Sequence, residues 1–93
     1  MKKVLYLIDG CEYYALLHND EEIVRFKWEM EADGCEVEIV EDHEVTADEI
    51  MEDTDFEYAY KIEMVAQMLL PNATDFRKWS EQETELKRLG LIA

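Results

Sequence analysis

Between Glu29 and Tyr60 the chain carries fourteen Asp and Glu residues and no Lys or Arg, so this stretch holds −14 of the −15 formal charge of the 93-residue protein. The remaining residues are nearly neutral, with ten acids set against all nine bases. Carboxylates gathered in this way can do one kind of chemistry without a cofactor: they can stand in for phosphates. Residues i and i+2 on one face of a strand lie about 6.8 Å apart, close to twice the ~3.4 Å rise per nucleotide of a DNA strand. Like charges kept together without interspersed Lys repel one another in the folded state, so the pattern predicts a surface meant to meet a basic partner. The candidate partner-binding residues are Glu29, Glu31, Glu36, Glu38, Glu41, Asp42, Glu44, Asp48, Glu49, Glu52, Asp53, Asp55 and Glu57.

Other chemistry has less support in the residue types. Cys11, Cys35, His18 and His43 supply zinc-ligand chemistry, but structural zinc sites bring in ligands as close pairs such as C-x2-4-C or H-x3-5-H, and neither spacing occurs. Asp53-Thr54-Asp55 resembles the start of a calcium loop without the glycine and terminal Glu that such a loop needs at fixed offsets. There is no nucleophile elbow, P-loop or glycine-rich dinucleotide loop, and no third residue marks a Cys-His dyad. The reading is therefore non-catalytic, with no metal and no cofactor. Tyr58 and Trp79 are candidates for anchoring a protein interface. Direct nucleic-acid binding is disfavoured, because the 24 acids outnumber the nine bases.

Ninety-three residues, 48% of them hydrophobic, predict a single domain with one core rather than an acidic disordered tail. The apolar run Val4 to Ile8 is ended by Asp9, too short for a signal-peptide core, and no segment approaches the ~18 apolar residues of a membrane span. The expected setting is soluble and cytoplasmic, with both cysteines as free thiols and the sequon Asn72-Ala73-Thr74 unused.

The elements that would position the acids are read from turns and periodicity. Asp9-Gly10-Cys11-Glu12 recurs as Asp33-Gly34-Cys35-Glu36, and Asp-Gly between apolar runs is a strong hairpin signal. Val24, Phe26, Trp28 and Met30 alternate with Arg25, Lys27, Glu29 and Glu31, as do Cys35, Val37 and Ile39 with Glu36 and Glu38. These flanks predict a hairpin in which Trp28 faces Ile39, Glu31 faces Glu36 and Glu29 faces Glu38, giving a two-by-two array of carboxylates. The competing reading makes 20 to 33 a helix, with Asn19 as N-cap, Glu22 at the third helical position and Gly34 just past the end. The expected fold is α+β: a four-stranded antiparallel meander at 3 to 8, 11 to 18, 23 to 32 and 35 to 42, followed by helices near 47 to 53, 55 to 70 and 74 to 89 packed on one face. The helical alternative gives ββαβαα. Capping boxes at Thr46-Ala47-Asp48-Glu49 and Thr54-Asp55-Phe56-Glu57 mark two helix starts, and Pro71 and Gly90 mark stops.

Together these features predict a small acidic inhibitor that mimics nucleic-acid phosphates and blocks the DNA- or RNA-binding site of a basic protein, of the anti-restriction or anti-CRISPR type that phages and mobile elements use in a host cytoplasm. The alternatives are a regulatory protein that binds through an apolar helical patch and, third, a small metal-binding protein. A homodimer is compatible with either of the first two.

Overall fold

Asp9 and Gly10 both adopt positive φ, 51° and 84°, in the computed structural model of the protein, which describes residues 1–93. That is the type I′ turn expected of Asp-Gly, and it joins β1 (Lys2–Ile8) to β2 (Cys11–Leu17) in the register Ile8 opposite Cys11 through Lys2 opposite Leu17. A third strand, β3 (Val37–Glu44), pairs antiparallel with the other edge of β1, giving the sheet order β2-β1-β3. The chain divides into two units, Met1–Val45 and Thr46–Ala93.

The strand expected at 23 to 32 is a helix, α1 (Asp20–Ala32), and Asp33-Gly34 is its C-terminal cap rather than a hairpin turn. The fold is α+β with a three-stranded antiparallel sheet and four α-helices, so the four-stranded meander is replaced by the ββαβ plan. Both ends of α1 explain why helix wins. At the start, the Asn19 side chain accepts from the Glu22 amide at 2.9 Å, and the Glu22 carboxylate accepts from the His18 amide at 3.1 Å. At the end, the Gly34 amide donates to Glu31 O and the Cys35 amide to Met30 O, both at 3.0 Å, with Gly34 at φ 90°. This is the paired bonding of a Schellman motif. The inward residues are Ile23, Phe26 and Met30, spaced for a helix, with Phe26 edge-on to Tyr6 of β1 at 4.9 Å. Val24 and Trp28 belong to the same alternation but point outward and are each 70% exposed.

A register shift between Leu5 and Tyr6 marks a bulge at Val40, since Tyr6 lies opposite Ile39 and Leu5 opposite Glu41. The bulge reorders the faces of β3. Glu38 and Glu41 share the face of Leu7 and Leu5, while Asp42 and Glu44 continue the face of Val37 and Ile39 towards Lys2.

In the second unit, α2 (Ala47–Glu52) begins with the expected capping box: Thr46 Oγ1 accepts from the Glu49 amide at 3.2 Å, and the Glu49 carboxylate accepts from the Thr46 amide at 3.0 Å. The second expected box does not form. Asp53 Oδ1 accepts from the Asp55 amide at 2.8 Å, an Asx turn that delays α3 to Tyr58–Leu69, with Glu57 at its N-cap. Ile62, Val65, Ala66 and, past the helix end, Leu70 are buried, and α3 packs on α2 and α4. The helix expected over 74 to 89 is split into a 3₁₀ turn, Ala73–Asp75, and α4 (Trp79–Arg88), because the Gln82 side-chain amide donates to Ala73 O at 3.1 Å and the Arg77 amide donates to Glu81 Oε2 at 3.0 Å. Gly90 at φ 72° closes α4 with a second Schellman pair, Leu91 N to Leu86 O at 2.9 Å and Gly90 N to Lys87 O at 3.0 Å. No helix is long and apolar enough to cross a membrane.

Candidate partner-binding surface

Apart from half-buried Asp53, every acid of the 29 to 57 block is exposed. They do not form the predicted two-by-two hairpin array, because Glu29 and Glu31 stand on α1 and have no strand partners. In the first unit they fall into three groups with different surroundings.

Asp42 and Glu44 are neutralised within the chain. Lys2 Nζ lies 3.0 Å from Asp42 and 2.9 Å from Asp20, and the Met1 amino group lies 3.4 Å from Glu44. Hydrogen bonds to the two aspartates, with their negative charge, hold the Lys2 ammonium well above its ordinary pKa. The bulge at Val40 makes the contact with Asp42 possible, since without it Asp42 would project to the opposite face.

Glu36, Glu38 and Glu41 are the second group, and no Lys or Arg reaches them. Glu38 and Glu41 face the same way opposite Leu7 and Leu5, residues two apart on β1, so they keep an axial spacing of about 6.8 Å. Glu36 and Glu38 also line an open cleft of about 440 Å³ with Asp9 and Gly10 at the turn end of the sheet. Asp9 lies outside the acidic block, so charge counting missed it; its signal was the hairpin turn, which brings residue 9 beside the start of β3. The strand itself is an edge, so these side chains project from the rim of the sheet.

Glu29 and Glu31 form the third group, near the C-terminal end of α1, where the last turn has no base and Asp33 is the cap residue. Carboxylates there face the negative end of the helix dipole, which costs about 0.3 to 1 kcal/mol each. Between them and the acidic first turn lie Arg25 and Lys27, the only bases from residue 4 to residue 60. Val24 and Trp28 project through this polar surround, and with Ile23, Lys27, Glu31 and Ile39 they line an apolar groove of about 320 Å³. Trp28 was expected to face Ile39 across a hairpin; the spacing of Val24 and Trp28, one helical turn apart, signals that they share one face of a helix, and their exposure is set by Ile23, Phe26 and Met30 turning inward.

The candidates in the second unit include acids with local structural work. Asp48 and Glu49 occupy the favourable first turn of α2, Glu49 closes its capping box, and Asp53 makes the turn before α3. Lys61 Nζ donates to Met51 O at 3.0 Å and Asp53 O at 2.7 Å, covering the end of α2. Glu52, Asp55 and Glu57 are exposed. Tyr58 and Trp79 meet edge to face at 5.8 Å, and the Tyr58 hydroxyl donates to Glu83. That bond to a carboxylate, aided by partial burial, raises the Tyr58 pKa.

Cys11 is exposed and Cys35 half-buried, both as free thiols, and no group of three or more His, Cys, Asp or Glu side chains is placed to hold a metal ion. Among known proteins, no protein-family model matches the chain, and no curated protein and no solved structure matches it.

Proposed function

We propose that the chain is a small non-catalytic inhibitor that presents carboxylates in place of nucleic-acid phosphates and occupies the DNA- or RNA-binding site of a basic protein, such as a nuclease or a CRISPR effector. The observation that carries this reading is the unneutralised group on β3: Glu38 and Glu41 on one face at about twice the nucleotide rise, continued by Glu36 and Asp9 at the end of the sheet. Within the same strand Asp42 and Glu44 have cations, so the chain leaves some acids open while satisfying others. Arg and Lys that grip phosphate would engage the open carboxylates, with association accelerated by long-range attraction to a protein of charge −15.

The test is a partner captured from a host lysate on the immobilised protein. The expected partner binds nucleic acid, is displaced by duplex DNA or by RNA, and elutes as salt rises from about 50 to 200 mM. Changing Glu36, Glu38 and Glu41 together to Gln should weaken the complex by roughly one to two orders of magnitude, three exposed ion pairs at up to about 1 kcal/mol each. A complex indifferent to salt and to these changes would sink phosphate mimicry. It would favour a regulatory module docking through an apolar helical patch, the second reading, which rests on the exposure of Val24 and Trp28.

A further inference from the structure

We propose that the outer face of α1 is the contact between two copies of this chain, which pair antiparallel about a two-fold axis at Trp28. Val24 and Trp28 are each 70% exposed, on successive turns of one helix, and the groove beside them runs to Ile39. A tryptophan in that position leaves a large apolar area in water, and the second copy covers it: the indole of one chain packs on the indole and groove of the other.

The second copy is identified by the order of charge along the helix. Reading through the contact, Arg25 and Lys27 precede Trp28, and Glu29 and Glu31 follow it. At 100° per residue, Arg25 and Glu29 lie on one flank of the Trp28 direction, and Lys27 and Glu31 on the other. Rotation by 180° reverses the helix and keeps the flanks, so Arg25 comes beside the partner subunit's Glu29 and Lys27 beside the partner subunit's Glu31. A patch with this symmetry is complementary to itself, as an isologous interface requires. Arg25 and Lys27 form no ion pair within the chain. The same pairing supplies what α1 lacks by itself, cations close to the acids of its last turn.

Net charge opposes the association, since each copy carries −15. Four exposed ion pairs are weak, whereas the repulsion acts over the whole surface, so screening should help the dimer. This response to salt is opposite in sign to that of a complex with a basic protein. The inference therefore stands apart from phosphate mimicry and is measured without any partner; Glu36, Glu38 and Glu41 remain outside the contact.

Sedimentation equilibrium of the purified protein tests it. At about 0.3 M salt the expected mass is twice the 11.0 kDa of the chain, falling towards one copy as salt is lowered. Trp28→Ala should weaken the dimer at least tenfold with unchanged circular dichroism. Arg25→Glu/Lys27→Glu should also be monomeric. The fourfold exchange that adds Glu29→Lys/Glu31→Lys restores the complementarity at unchanged net charge and places bases in the last turn of α1, so it should dimerise again. The proposal is overturned by a wild type that remains a single copy at about 100 μM in 0.3 M salt, by Trp28→Ala or the double reversal dimerising like the wild type, or by a folded fourfold exchange that stays monomeric.

Discussion

At the scale of single residues, Tyr58 gives the clearest acid-base prediction. Its hydroxyl donates to the Glu83 carboxylate, so deprotonation would bring two negative charges together, and the folded pKa lies above the ordinary ~10 of tyrosine. A group whose folded pKa is raised stabilises the fold fully below its unfolded pKa, and the contribution is lost as pH rises through the folded value. Titration of tyrosinate absorbance should therefore show a component that ionises above the ordinary tyrosine range, and Glu83→Gln should bring it down. An unchanged titration curve in that variant would separate the shift from Glu83. Glu85 behaves in the opposite sense: hydrogen bonding from Arg88 lowers its pKa, so its contribution is present above its unfolded pKa and fades as pH falls through the folded one.

At the scale of elements, α1 shows what local pattern can and cannot decide. Asp-Gly occurs twice with the same neighbours, and Gly10 and Gly34 have nearly the same φ, 84° and 90°. One closes a hairpin and the other ends a helix, because both structures need the left-handed conformation that glycine adopts freely. The choice lay in the preceding segment, where the competing signals were period-two alternation and a helix with a cap at each end. Helix formation satisfies backbone groups locally through Asn19, Glu22 and Gly34, whereas a strand at 23 to 32 would have satisfied its own only through pairing with neighbouring strands. The first hairpin, the Thr46 capping box and the stops at Pro71 and Gly90 were legible because each depends on residues within a few positions. The bulge at Val40, which decides where Glu41 and Asp42 point, depends on β1 pairing and left no mark in the sequence of β3. A Cβ at Gly34 would meet nothing within 4 Å, so Gly34→Ala isolates the backbone term. It should destabilise the protein by about 1 to 2 kcal/mol in urea unfolding. A variant as stable as the wild type would remove the Schellman cap from the account of why residues 20–32 are helical.

At the scale of the molecule, fourteen acids without a base between Glu29 and Tyr60 put a repulsive load on the native state. Salt should relieve it. Raising ionic strength from about 0.02 to 0.15 M shortens the Debye length from roughly 20 to 8 Å, and the thermal midpoint should rise by several degrees. The Gln changes at Glu36, Glu38 and Glu41 should raise the midpoint at low salt and matter little at high salt. A midpoint that falls with salt would mean that attractive pairs such as Lys2 with Asp20 and Asp42 outweigh the repulsion. Of the two proposed contact surfaces, composition gives only the sign and amount of charge; which acids remain open and where Trp28 points depend on the bulge and on α1.

The position of β3 at the rim of the sheet has one more consequence. A strand edge offers unpaired amides and carbonyls to any other extended chain, and charged side chains with a bulge are what keep such an edge from recruiting one. In this protein the guard is made of carboxylates, in a chain whose net charge is −15 at pH 7. Near the isoelectric point of 4.3 the net charge that keeps copies of the chain apart vanishes while the strand edge stays in place, so turbidity or thioflavin-positive fibres should grow from this edge as pH approaches that value.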